Sequence, residues 1–294
     1  MFSGLSAFPL TPADQDGVVD PDALCVLLER LVQARPTSIG LLGSTGGYAY
    51  LEPGQRQRAV AAAIECVAGR LPIIVGVGAM RTSWACQLAA DAERAGADGL
   101  LLAPMSYVRL TPCEVARHYR AVAGATGLPI CIYNNPGTTG FTFTPDLLAE
   151  LAAVPNVAAV KMPPAARGDF GGELAALRTL TPTTFAIGYS GDPAASAALS
   201  AGADAFYSAI AGILPKPMVR LAEAAQGGRT AEVLSLEGAF APLWELVRVH
   251  GGLRVSYMIA DRLGLAVGQP PAPIDPIFSD IAEVEAALAA LELL

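Results

Sequence analysis

The chain has 294 residues, 53% of them hydrophobic and 16% charged, and its formal net charge is −8. An acidic chain without a cluster of Lys or Arg argues against nucleic acid as a partner, because phosphate binding needs a basic patch. No apolar run reaches the ~18 residues of a membrane-spanning helix, and no positive charge precedes Arg30. Neither a membrane partner nor a signal peptide is therefore predicted.

The cysteines are scattered without Cys-x-x-Cys spacing, so they are interpreted as buried thiols of a cytoplasmic protein. They are Cys25, Cys66, Cys86, Cys113 and Cys131. The two histidines, His118 and His250, lie far apart in the sequence, so no metal site is predicted. The abundance of Ala and Gly with few charges leaves two explanations open, which are extensive subunit contacts and an Ala-rich coding bias.

Short apolar runs rich in strand-forming residues recur along the first two-thirds of the chain. In chain order they are "FSGLSAF" near residue 5, "SIGLL" at 38–42, "PIIVGV" at 72–77, "DGLLLA" at 98–103, "PICIY" at 129–133, "NVAAVK" at 156–161, "TFAIG" at 184–188 and "ADAFYS" at 203–208. Segments with helical periodicity, such as "DPDALCVLLERLVQA", separate these eight runs.

Eight alternating units predict an α/β fold, a (β/α)8 TIM barrel whose parallel strands are covered by helices. A doubly wound open sheet is the alternative, but the Gly-rich turn typical of its first strand is missing, and "AFPLTPADQDG" follows instead. After about residue 226 the alternation stops and helical segments follow. We therefore expect a barrel over 1–226 that carries the active site, and a C-terminal helical extension over 227–294.

Lys161 is one of only two lysines in the chain, and it ends the sixth predicted strand. In a β/α barrel the functional residues stand at the carboxyl ends of the strands. An apolar surrounding disfavours the charged ammonium, and a neutral amine is a nucleophile that can form a Schiff base with a carbonyl. A lysine that extends outward from the strand end is the alternative.

Tyr133 ends the fifth predicted strand, next to the strand of Lys161. Side chains alternate along a strand, so Cys131 and Tyr133 share one face, as do Ala159 and Lys161. If both faces point inward, a phenol that can move protons meets the amine at the barrel mouth. The alternative for Tyr133 is an aromatic plug with a hydrogen-bonded hydroxyl.

The segment "GSTGG" at 43–47 combines glycines with the hydroxyls of Ser44 and Thr45 in a tight turn. Such a turn suits a carboxylate, and it is not a P-loop because the Gly-Lys-Ser/Thr sequence is missing. A turn without function is the alternative.

Three elements in order, "GSTG" at 43–46, "YNNPGTTG" at 133–140 and the "VK" that ends in Lys161, resemble the dihydrodipicolinate synthase / N-acetylneuraminate lyase family. These are class I, pyruvate-dependent aldolases on a β/α barrel. The resemblance implies that Lys161 forms the Schiff base with pyruvate or another 2-oxo acid and that Tyr133 relays protons. It also implies that Ser44, Thr45 and Gly46 hold the carboxylate.

The same resemblance implies further site residues and properties. Ser44 would link Tyr133 to Tyr107, a candidate for the tyrosine that crosses to a neighbouring subunit. Ser190, Gly191, Asp192 and Tyr207, with Ser208 beside it, would line the far wall. The resemblance also implies a homotetramer that needs neither metal nor cofactor, and small-molecule partners that are a 2-oxo acid and an aldehyde.

Three positions depart from the family pattern. Thr138 stands where the synthase branch has an arginine that grips the second substrate's carboxylate, and a threonine cannot supply that bidentate grip. Gly47 replaces a common glutamate and Met162 an acidic or small polar residue. Arg109 or Arg167 could supply the lost cation from other loops. These departures favour a lyase or aldolase that forms or cleaves a C–C bond to an aldehyde. A dihydrodipicolinate synthase, a 2-oxo sugar-acid dehydratase and a non-catalytic keto-acid-binding barrel remain alternatives.

Overall fold

The computed structural model describes residues 1–277 and 279–291. Eight parallel strands form a closed barrel in chain order, with β8 paired to β1. All eight predicted strands are present, and the TIM-barrel prediction is confirmed. The strands are β1 Gly4–Ala7, β2 Ser38–Leu41, β3 Ile73–Gly76, β4 Gly99–Leu102, β5 Ile130–Tyr133, β6 Val157–Met162, β7 Ala186–Ser190 and β8 Ala205–Ser208.

Helices follow the strands and cover the barrel. They are α1 Pro21–Ala34, α2 Pro53–Val67, α3 Thr82–Ala95, α4 Pro112–Ala123, α5 Pro136–Thr139, α6 Pro145–Ala152, α7 Phe170–Leu180, α8 Ala195–Ser200 and α9 Pro215–Gln226. Local sequence sets several of their starts. For example, proline occupies the first turn of α4, where no backbone N–H is needed, and Thr111 with Glu114 forms a capping box there.

Three further helices, α10 Thr230–His250, α11 Gly252–Arg262 and α12 Ile281–Ala290, follow the barrel. Helix α10 packs against both α9 and α12. Buried Phe240 and Trp244 stack within α10, with ring centroids 4.6 Å apart. Among the described residues, no helix is both long enough and apolar enough to cross a membrane.

Two layers of buried side chains form the core. The larger layer lies between the strands and the surrounding helices. The smaller one contains Cys131, Tyr133, Ala159 and Tyr207 and fills the barrel interior together with Phe8. The predicted alternation on β5 and β6 is therefore correct, and both faces point inward.

The interpretation of the cysteines as buried thiols is correct for Cys131 but not for the other four. Cys25 on α1 and Cys66 on α2 form a disulfide with a Cα–Cα distance of 5.8 Å, because these two helices pack side by side. Cys113 is exposed, Cys86 is half-buried, and of the free thiols only Cys131 is buried. Two cysteines that are distant in the sequence are thus joined across a pair of helices. A disulfide does not support the argument that the cysteines indicate a reducing compartment.

Candidate active site

Lys161 lies in the barrel interior near the carboxyl end of β6 and is only 8% exposed. Strand pairing sets Lys161 directly beside Tyr133 of β5 on one side and Gly188 of β7 on the other. The Nζ atom lies 4.7 Å from the ring centroid of Tyr133, 4.3 Å from that of Phe8 and 5.8 Å from that of Tyr207. The amine is thus held among aromatic rings and does not extend to the outer wall of the barrel.

Phe8 follows β1, and its ring needs two glycines opposite it. A Cβ atom at Gly40 on β2 would approach the ring to 2.2 Å, and one at Gly43 would approach it to 2.5 Å. Any side chain at either position would displace the ring that lies under Lys161 Nζ. The glycine that opens "GSTG" therefore has a packing role as well as a role in the turn.

The hydroxyl of Tyr133 is the centre of a small hydrogen-bond network. It pairs with the Ser44 hydroxyl at 3.1 Å and accepts a hydrogen bond from Asn135 Nδ2 at 2.9 Å. Burial alone would raise the pKa of Tyr133. The nearby charge of Lys161 and hydrogen bonds to Ser44, Asn135 and Thr138 outweigh burial, so this pKa lies below its ordinary value.

Asp192 is a buried carboxylate at the end of β7, where a 3-10 turn over Asp192–Ala194 begins. Its Oδ1 accepts hydrogen bonds from the Ser208 hydroxyl and from the backbone N–H of Ile210 at 3.1 Å. Burial raises the pKa of Asp192, although these hydrogen bonds and Lys161 act in the opposite direction. Asp192 thus joins the ends of β7 and β8 and brings an acidic side chain to the site.

A cavity of about 570 Å³ opens above Lys161 at the carboxyl end of the barrel. This volume lies within the range of small-molecule sites and is ample for a three-carbon acid together with a second substrate. Most of the residues predicted from the sequence line it: Ser44, Thr45, Tyr133, Thr138, Lys161, Ser190, Gly191, Asp192 and Tyr207.

Three predicted site residues lie elsewhere, and one of them, Ser208, is buried and donates its hydroxyl to Asp192. Gly46 is buried and lines a smaller neighbouring cavity together with Thr11. Tyr107 lies in the loop between β4 and α4 and is 93% exposed, outside the cavity of Lys161. The Ser44 hydroxyl meets Tyr133 as predicted, whereas a role of Tyr107 towards a neighbouring subunit stays a prediction.

Arg109 and Arg167 do not replace the missing cation. Both side chains are exposed, and within residues 1–277 and 279–291 the only Lys or Arg that lines the cavity is Lys161. The suggestion that either arginine supplies a cation to the site was therefore wrong for the cavity as it stands in one chain.

Several residues that line the cavity were not predicted from the sequence. Phe8 and Asn135 stand in segments that had been noted, and the β alternation and the "YNNPGTTG" motif were signals that could have identified them. Val247, Leu253 and Ile274 come from the helical part after the barrel and carry no motif. The cavity is therefore not built by the barrel alone.

Comparisons with known proteins agree with this geometry. The model of the dihydrodipicolinate synthetase family matches residues 1–291. The chain belongs to this family. It is 32% identical over 296 residues to the 4-hydroxy-tetrahydrodipicolinate synthase of Stenotrophomonas maltophilia strain R551-3, covering 97% of this chain and 98% of that protein. The predicted family, and with it the prediction of a lyase of this family, is confirmed.

Solved structures are similar over the whole chain. The dihydrodipicolinate synthase of Agrobacterium tumefaciens superposes with a TM-score of 0.95 at 51% identity, covering 100% of this chain and 98% of that one. The dihydrodipicolinate synthase of Acinetobacter baumannii, solved in complex with pyruvate, gives a TM-score of 0.89 at 28% identity with both chains fully covered. Members of the family therefore share this barrel together with its C-terminal helices.

Proposed function

We propose that this family member is a class I lyase in which Lys161 forms an imine with pyruvate or a related 2-oxo acid. The observation that carries the proposal is the buried amine of Lys161 beside the hydrogen-bonded phenol of Tyr133, at the floor of an open cavity. The pyruvate complex of the Acinetobacter baumannii relative supports the choice of 2-oxo acid.

The chemistry balances in four steps. Lys161 loses its proton to solvent, and the resulting amine adds to the C2 carbonyl of the 2-oxo acid. The C2 hydroxyl then takes up a proton and leaves as water, which gives the protonated imine. This electron sink acidifies C3, and loss of a C3 proton gives the enamine. The enamine carbon adds to an aldehyde carbon, the aldehyde oxygen takes up a proton and the protonated imine forms again. Water then releases the product and the free amine. The reverse sequence cleaves the same C–C bond.

Each neighbouring group has a role in this proposal. Tyr133, whose hydroxyl is held by Ser44 and Asn135, donates a proton to the departing hydroxyl of the carbinolamine, takes a proton from C3 as the enamine forms and donates it to the aldehyde oxygen. Ser44, Thr45 and the amides of the 43–47 turn hold the carboxylate and so orient the carbonyl towards Lys161. Neither a metal nor a cofactor is needed for these steps.

Borohydride trapping tests the proposal. The protein is incubated with pyruvate, reduced, weighed intact and mapped by peptide mass. We expect one adduct on the peptide that contains Lys161. Lys216, the other lysine, is exposed at the start of α9, and the Lys216→Ala variant is the matched control that keeps the adduct. Absence of an adduct in the unmodified protein would refute the proposal.

Condensation with aspartate semialdehyde is the second candidate reaction, because curated relatives are named 4-hydroxy-tetrahydrodipicolinate synthase. Thr138 lines the cavity in place of an arginine, which argues against a grip on that substrate's carboxylate. Efficient condensation of pyruvate with aspartate semialdehyde would show that the argument from Thr138 is wrong.

Assembly, location and domain division remain predictions. We propose a homotetramer, and the exposed side chains of Met80, Trp84, Tyr107 and Val108 support burial of apolar surface between subunits. Sedimentation would test the tetramer. Residues 227–294 are proposed to form an extension of the barrel at 1–226, and a cytoplasmic location would be tested by cell fractionation.

A further inference from the structure

The wall of the cavity above Lys161 is apolar on the side of the C-terminal helices. Val247 of α10, Leu253 of α11 and Ile274 of the connector before α12 line it, and all three are half-buried. Lys161 and Tyr133 are buried, so the reacting groups lie at the floor and the apolar wall lies nearer the opening. A tail that leaves the floor on the side of α10 and α11 would lie against this wall.

The charges around the cavity do not suit an anionic tail. In the described part of the chain, Lys161 and Asp192 are the only Lys, Arg, Asp or Glu residues that line it. In the protonated imine the positive charge of Lys161 stays at the floor of the cavity, beside the carboxylate of the 2-oxo acid, and not at the wall. Asp192 is fixed by Ser208 and Ile210, and its Oδ2 would lie 3.9 Å from a Cβ atom built on Gly252, the first residue of α11. A carboxyl group thus stands at the edge of the apolar wall, where it offers no positive charge to a second carboxylate and, when ionised, would repel it.

We infer that the second substrate is an uncharged aldehyde with an apolar tail, selected by Val247, Leu253 and Ile274. The inference rests on the proposed function, because it needs the imine at Lys161 to fix one end of the ligand. An apolar tail gains by burial against this wall, whereas a carboxylate of equal length loses its hydration without finding a cation. The wall would thus distinguish the two kinds of tail at the binding step, before Tyr133 transfers any proton.

Trapping of longer 2-oxo acids tests the inference without requiring turnover. Pyruvate, 2-oxohexanoate and 2-oxoadipate are titrated in the presence of borohydride, and the adduct at Lys161 is quantified by intact mass. The last two acids have the same chain length and differ in a terminal methyl group against a carboxylate. We expect 2-oxohexanoate to half-saturate trapping at a concentration at least about tenfold lower than 2-oxoadipate.

Two variants assign the preference to the wall. Leu253→Ser is expected to reduce the preference for 2-oxohexanoate about fivefold, since a half-buried leucine contributes about half of the effect of a fully buried one. Leu234→Ser changes an exposed leucine of α10 outside the cavity and is expected to leave the preference unchanged. Trapping of pyruvate in the same samples shows that each variant is folded.

The outcomes are separable. If pyruvate is trapped but 2-oxoadipate saturates as readily as 2-oxohexanoate, the inference about the tail is overturned while the proposed function stands. If Leu253→Ser and Leu234→Ser have equal effects, the wall is not the selecting element and the inference is likewise overturned. Failure to trap pyruvate at all overturns the proposed function itself.

Discussion

Replacing Tyr133 by phenylalanine removes one hydroxyl and retains the ring that packs against Lys161. The ring centroid lies 4.7 Å from Nζ, so the surroundings of the amine are preserved. General acid–base catalysis by a positioned side chain contributes about 10²–10⁴-fold, which corresponds to roughly 3–5 kcal/mol of barrier. We therefore expect Tyr133→Phe to slow imine formation with pyruvate by at least about 100-fold.

The affinity for pyruvate should change much less than the rate of imine formation, because the turn at 43–47 that holds the carboxylate is unaltered. The cost to stability arises from the Ser44 hydroxyl and the Asn135 amide, which lose their partner at 3.1 and 2.9 Å. Full burial of an unpaired group costs about 1–3 kcal/mol. Both residues are only half-buried, so water compensates in part and the loss should fall at or below the lower end of this range.

Rapid-quench trapping with borohydride measures the rate of imine formation directly. Tyr189→Phe is the matched control, because Tyr189 of β7 is also buried but packs against Phe170 outside the cavity. The pKa of Tyr133 lies below its ordinary value, so the wild-type rate should fall on the alkaline side as the phenol loses its proton. The Tyr133→Phe variant should lack this fall. A variant that retains more than half of the wild-type rate would refute the role of Tyr133.

Three further predictions concern the amine, the helix pair and the buried carboxylate. Lys161→Ala should abolish both turnover and trapping, and measurable activity in this variant would contradict the mechanism. Replacing Cys25 and Cys66 by serine opens a loop closed over a separation of 41 residues, which should cost about 4 kcal/mol of unfolding free energy in denaturant titrations without reductant. The bond itself is checked by unfolding the unmodified protein without reductant and adding iodoacetamide. Reaction of all five cysteines would exclude the disulfide. Because burial raises the folded-state pKa of Asp192, the wild type should lose stability relative to Asp192→Asn as the pH rises from about 4 to that raised pKa. Equilibrium unfolding of both proteins measures this effect. If the difference in their unfolding free energies does not change with pH over this range, the pKa of Asp192 is not raised.

Short-range patterns carried the correct part of the sequence analysis. Alternation of side chains with a period of two put Tyr133 and Lys161 on inward faces, and sequential parallel strands made them neighbours. Both arguments involve a few residues on adjacent strands. The barrel and the core of the candidate site could therefore be predicted before any coordinates.

Features that depend on packing between distant segments could not be predicted in this way. The bond between Cys25 and Cys66 requires that α1 and α2 align at one particular height. The positions of Val247 and Leu253 in the cavity wall depend on how α10 and α11 fold back over the barrel mouth. Neither arrangement leaves a periodic or motif signal in the sequence.

The origin of the cavity wall in helices that lie outside the barrel has an evolutionary consequence. Substitutions at Val247, Leu253 or Ile274 can alter which compound is accepted while the strands that hold the amine and the phenol remain untouched. A mutant library confined to these three positions would therefore search for new specificities with little risk to the catalytic apparatus.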